Sequence, residues 1–184
     1  MSFLKALGSG LAGAVALTAI HETIRRVSPD APRMDVLGMR AIAKSLRAAG
    51  EEVPDEDTLF NVTLAGDVVS NALYYSLVGL GDPRSAVARG ALLGLGAGLG
   101  AVLLPGPLGL GTDASARTRE TQLMTVAWYT AGGLVAGAAM QSLSDDDEGL
   151  KGSAVANATA EGQRRCYPVR SRVVPSGRLI RAGV

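Results

Sequence analysis

Four long apolar stretches, separated by short polar ones, set the pattern of the chain. The first runs over Phe3–Ile20 and carries one charge, Lys5, near its start. The second covers Leu59–Leu80, with Asp67 and Asn71 inside it. The third, Ala86–Leu104, has Arg89 in its first turn. It stops at Pro105-Gly106-Pro107, because proline removes a backbone donor and restricts the residue before it. The fourth, Leu123–Leu143, contains no ionisable side chain and is closed by Asp145-Asp146-Asp147-Glu148. A helix needs about 20 mainly apolar residues to cross a hydrocarbon core of ~30 Å. None of the windows alternates with a period of two, and lipid satisfies no exposed backbone, so helices rather than barrel strands are expected. The pattern therefore predicts an all-α fold: an integral membrane bundle of about four glycine-rich transmembrane helices in residues 1–144, with spans at about 3–22, 59–80, 84–104 and 121–143. A cleaved signal peptide is the rival reading of the first window. It would want a more basic start and a small-residue cleavage site. Instead the segment continues into His21-Glu22-Thr23-Ile24-Arg25-Arg26.

The polar segment between the first two windows has its own pattern. Two prolines, Pro29 and Pro32, break it, and Met34–Ala49 then reads as a short amphipathic helix. Val36, Leu37, Met39, Ile42, Ala43 and Leu46 recur near a period of 3.6, with Arg40, Lys44 and Arg47 on another side. Asp35 in the first turn and Gly50 after the last are the start and stop that helices favour. Such a helix either lies in the headgroup plane, its cations near anionic lipid, or packs over the end of the bundle. The acidic run Glu51–Asp57 lacks the spaced ligands and glycine of a calcium loop and reads as a solvated connector. Residues 145–184 show no sustained periodicity, and disorder is expected there.

Composition sharpens this picture at three points. The chain has 24 glycines in 184 residues. Between lipid-embedded helices hydrophobicity supplies no attraction, so close approach through small residues takes its place. Ala86, Gly90, Gly94 and Gly98 form a ridge at spacing four in the third window, and Gly133 and Gly137 repeat the spacing in the fourth. These glycines are expected to be helix-packing positions and, in so thin a bundle, to favour self-association or contact with other membrane proteins. The net charge of +1 and an aromatic content of 4% offer no field or stacking platform for nucleic acid. One cysteine, Cys166, and one histidine, His21, exclude an internal disulfide and any multi-histidine or cysteine-only metal cluster within one chain. No metal site and no cofactor are expected.

Lys/Arg-rich short loops stay on the cytoplasmic side. Arg25, Arg26, Arg33, Arg40, Lys44 and Arg47 in the first loop, and Arg117 and Arg119 in the third, place both loops there and both termini outside. Size and Ala/Gly/Arg-rich composition point to a bacterial inner membrane. A faint echo between Leu73–Leu80 and Ala127–Leu134 suggests two related hairpins.

Chemistry rests on few residues. An ionisable group inside a span is costly and is a functional candidate by default. Asp67 shares a helical face with Thr63, Ser70, Asn71 and Tyr74, and His21 and Glu22 end the first span near the surface where the second begins. His21, Glu22, Asp67, Ser70, Asn71 and Tyr74 thus form a candidate polar cluster, with Arg26 in reach of Glu22. The pieces of a known enzyme are missing: His21-Glu22 is not followed by the second histidine of a zinc-protease helix, and no G-x-S-x-G elbow occurs. Gly96–Ala101 fits G-x-G-x-x-A loosely, but a mid-span position without a preceding strand removes the dinucleotide reading. The expected role is a non-enzymatic scaffold or accessory membrane component. The alternatives are an oligomeric channel or proton-coupled transporter using Asp67 and Asn71, and a lipid-headgroup-modifying enzyme using His21, Glu22 and Asp67.

Overall fold

The computed structural model describes residues 3–166, with side chains described mainly over 3–146. All regular structure among these residues is helical: α1 (Phe3–Ile24), α2 (Met34–Ala49), α3 (Glu56–Tyr75), α4 (Ala86–Leu103), the four-residue α5 (Asp113–Ala116) and α6 (Arg119–Cys166). The described residues divide into two units, one ending at Asp146 and the other beginning at Asp147. The acidic run after Ser144 does not stop α6, since acidic side chains neither remove a backbone donor nor demand a left-handed backbone. Disorder was expected over 145–184; helical backbone is found to Cys166, and 167–184 lie outside the described residues.

The first unit is two antiparallel helix pairs. α1 packs on α3 with Gly10 against the Ala72 carbonyl and on the turn after α3 with Ala6 against Gly79, while Gly38 of α2 meets Thr63 of α3. Along α4 and α6 the pairing is tighter. A Cβ placed on Gly90 would sit 2.1 Å from the Gly133 carbonyl oxygen, one on Gly94 2.4 Å from that of Tyr129, and one on Gly137 2.5 Å from that of Ala86. Gly98 meets the Val126 backbone. Main chain rests on main chain here, and no residue but glycine fits without moving a helix. α1 joins the pairs through Gly13, whose Cβ would lie 2.6 Å from the Gly132 carbonyl oxygen. The side-chain core is small: Leu17, Tyr75, Val78, Ala86, Tyr129, Ala136 and Met140. Hydrogen bonds from the Tyr75 hydroxyl to the Tyr129 carbonyl (2.7 Å) and from the Tyr74 hydroxyl to the Leu93 carbonyl (3.0 Å) tie α3 to α6 and α4.

α3 departs from the 59–80 window. It ends at Tyr75 and tightens into a 3-10 turn over Ser76–Gly79, because Gly81, with φ of 88°, and Pro83 turn the chain into α4. The Arg89 guanidinium closes that turn on the Val78 and Asp82 carbonyls.

At the other end, α2 and the loops around α5 form a cap. Gly50 at φ of 80° stops α2, and its N–H bonds back to the Arg47 carbonyl. Arg40 forks onto Asp113 at 2.7 and 2.9 Å, and Lys44 donates to the Leu108 carbonyl at 2.6 Å. Arg33 N–H reaches the Ala114 carbonyl, Thr121 the Asp30 carbonyl, and Arg117 the Pro29 carbonyl. The hydrogen bond from Arg40 holds the Asp113 carboxyl below its ordinary value. Arg40 and Lys44, two of the three basic residues of α2, thus hold that helix to the loop.

Among the described residues, three helices are long and apolar enough to cross a membrane: Phe3–Ile24, Pro83–Leu103 and Arg119–Asp146. Only 22% of the most apolar window in the second is buried, and Leu92, Leu95, Leu99, Leu103 and Leu104 point outward. Outward leucine on this scale suits hydrocarbon, not water. α3 is not among the three, because Asn61, Asp67, Ser70 and Asn71 dilute its apolar run.

Candidate functional site

Where α1 leaves the bundle, its residues 18, 21, 22 and 25 fall on one face, at steps of three and four. α3 begins beside them and presents Phe60, Thr63, Leu64 and Asp67; the turn at Pro32 and the start of α2 close the third side with Met34 and Asp35. The result is a cavity of about 20 Å³ lined by Thr18, His21, Glu22, Arg25, Asp35, Thr63 and Asp67, among others.

His21 is 6% exposed and Thr63 5%. The His21 ring packs 5.1 Å from Trp128 and edge-on to Tyr129 at 5.7 Å, which fixes its orientation. Arg25 bonds Glu22 at 2.7 Å and reaches Asp35 at 3.4 Å, and its guanidinium lies over the Phe60 ring. The Arg26 to Glu22 pair anticipated from spacing is present at 3.8 Å, but Arg25 is the tighter partner. Asp35 is also gripped by Arg33 at 2.7 Å. Burial raises the Asp35 carboxyl, but the Arg33 hydrogen bond, the Val36 N–H and the charges of Arg33 and Arg25 outweigh it and hold the group below its ordinary value. Asp67 has one side-chain partner, the Asn71 amide, which donates to its Oδ1 at 2.9 Å and to its main-chain carbonyl at 3.0 Å.

Of the candidate cluster, the fold gathers His21, Glu22 and Asp67 around one cavity. Asn71 acts at one remove through Asp67. Ser70 is exposed and bonds only the Asp67 carbonyl, and Tyr74 turns to α4. Thr18, Arg25 and Asp35 belong to the cavity and were not singled out from sequence. Their signal was present for the first two in the 18-21-22-25 spacing; Asp35 arrives by tertiary folding and has none. Gly90, Gly94, Gly98, Gly133 and Gly137 lie together at the contact of α4 with α6. Arg40 and Lys44 sit in the cap, and Arg47 lies with them along the same groove. Among the described residues no group of three or more His, Cys, Asp or Glu is placed to hold a metal ion. Gly96–Ala101 is plain helix within α4.

The fold thus defines an all-helical bundle with three helices able to cross a membrane and a small polar cavity near one end. Compared with models of known protein families, with curated proteins and with solved structures, the chain matches none.

Proposed function

We propose that this chain is a non-enzymatic component of a membrane, most simply a bacterial inner membrane, acting as a scaffold or accessory subunit rather than as a conduit. The supporting observation is how the interior is filled. α4 and α6 meet backbone to backbone, and the polar cavity among α1, α2 and α3 has room for about one water molecule. The wider space of about 470 Å³ that Asp67 and Tyr74 also line, beside α2 and α4, is an open and mainly apolar groove rather than an enclosed aqueous channel.

A fourth crossing belongs to this reading, with α3 as the span. Connectivity supports it. Loop 25–33 is stitched to loop 105–118 at one end through Arg33 and Arg117, and α2 is stitched to the same loop through Arg40. The 3-10 turn after α3 lies instead beside Ala6, near the start of α1. On this reading the chain crosses between the end of α1 and the start of α4, with α3 as the crossing segment. Its polar groups Thr63 and Asn71 are buried inward. The stitched end carries most of the loop cations and would face the cytoplasm. There α2 would lie at the headgroup level, its apolar side toward the bundle.

Reconstitution into sealed vesicles tests the proposal. Proton and cation flux should equal that of protein-free vesicles. A flux proportional to protein content, and abolished in Asp67→Asn, would replace the scaffold reading with transport.

A further inference from the structure

Among the described residues, buried side-chain polar atoms without a hydrogen-bond partner are Thr18 Oγ1, His21 Nε2, Arg25 Nε, Thr63 Oγ1 and Ser115 Oγ. All but the last line the cavity between α1, α2 and α3. Orphaned polar atoms cost about 1–3 kcal/mol each, and native proteins rarely leave them so. Four on residues that border one space call for a polar ligand there. The volume, about 20 Å³, matches a single water and excludes a larger guest. The chemistry matches too. Arg25 Nε only donates, the two threonine hydroxyls do either, and His21 Nε2 accepts when the ring is neutral with its proton on Nδ1.

The charges around the cavity add a second constraint. From α1 they are Glu22 and Arg25, from α2 Asp35, and from α3 Asp67. Arg26 and Arg33 stand further out, with side chains 72% and 49% exposed, where water screens them. The inner shell therefore holds three carboxylates and one guanidinium. Arg25 is shared between Glu22 and Asp35, and Asp67 has no ion pair. Asp67 is half-buried and also borders the wider groove beside α4, so its carboxylate is partly removed from water, and a proton shared with His21 would offset that partial desolvation.

We propose that this cavity is a binding site for one water molecule, and that through it His21 and Asp67 share a single proton. With the proton on Asp67, a neutral carboxyl donates to the water, which donates to Nε2. Transfer moves the carboxyl proton to the water oxygen as a water proton passes to Nε2. The products are a carboxylate and an imidazolium, with the water unchanged and the total charge of the pair still zero. Neither form leaves an uncompensated charge, and Arg25 Nε can donate to the same water in both. The arrangement would couple α1 to α3 without a direct side-chain contact between His21 and Asp67.

His21 is the only histidine, so histidine labelled with ¹⁵N gives one imidazole in the spectrum of the whole chain. In lipid vesicles, solid-state NMR should show magnetisation passing from water to this buried ring. Absence of that transfer in the parent protein overturns the water site. A lengthened Nε2–H distance, from the dipolar coupling in the parent, is expected for a shared proton. An Nε2 carrying a proton at ordinary covalent length, or carrying none and accepting no hydrogen bond, overturns the sharing. In Asp67→Asn the Nε2 resonance should move; an unmoved signal in a protein that assembles normally also overturns it.

Discussion

Asp35 illustrates how one residue can hold a tertiary junction. Its carboxylate, in the first turn of α2, receives Arg33 and Arg25 and so ties the end of α1 and the turn before α2 to that helix. Because its folded value lies below the unfolded one of 3.8, the group stabilises the fold above that value. The contribution is lost as pH falls through the folded value. Thermal unfolding in detergent should therefore show stability declining below about pH 4, and Asp35→Asn should be less stable at neutral pH with a flatter acid limb. An acid limb unchanged by the substitution would refute this role. The neighbouring residues show what spacing can and cannot reveal. Thr18, His21, Glu22 and Arg25 lie on one helical face that the sequence alone displays. That Asp35 and Thr63 complete the cavity depends on a turn at Pro32 and on how α3 packs, neither of which has a local signature.

At the scale of elements, apolar length carried most of the information. Segments of about 20 apolar residues have few options besides helix in lipid, and the limits of α1, α2 and α4 fall within a few residues of those expected. The end of α3 was obscured because Ser76–Gly79 is as apolar as the helix before it; the change to a 3-10 turn follows from the backbone angle at Gly81 rather than from hydropathy. The spacing of four at Gly90, Gly94 and Gly98 coincides with the face of α4 against α6, but the spacing names no partner helix. It served equally to suggest contact with another molecule, whereas the ridge is occupied within the chain. Gly94→Ile tests that contact. A Cβ there lies 2.4 Å from the Tyr129 carbonyl oxygen and 2.6 Å from the Thr130 Cα, and rigid backbone cannot yield as a side chain would. Overpacking typically costs about 1–3 kcal/mol, and the cost here should reach the upper end. The midpoint of unfolding in detergent should fall clearly, while Gly66→Ala, in open space on α3, should leave it nearly unchanged apart from helix propensity. Equal midpoints for parent and Gly94→Ile would mean that the α4–α6 contact is not formed.

For the whole molecule, the decisive quantity is the number of crossings. Hydropathy favours three, and the stitched loops favour four. The two differ in where the α3–α4 turn emerges. With Cys166 replaced by serine, single cysteines at Arg47→Cys, Arg84→Cys and Arg117→Cys can be labelled with a membrane-impermeant maleimide in oriented sealed vesicles. The first and third should react from one side and Arg84→Cys from the other. Reaction of Arg47→Cys and Arg84→Cys from the same side, with Arg117→Cys reacting from the other, would place α3 outside the bilayer core and remove the fourth span.

The glycine seam between α4 and α6 also bears on how such a chain is made. Gly90, Gly94 and Gly98 find their counterparts only at residues 126–137, so during synthesis the notch on α4 stands open until that later stretch leaves the ribosome. A nascent chain stalled before Leu123 would expose this notch to passing helices, and the completed protein covers it with its own main chain.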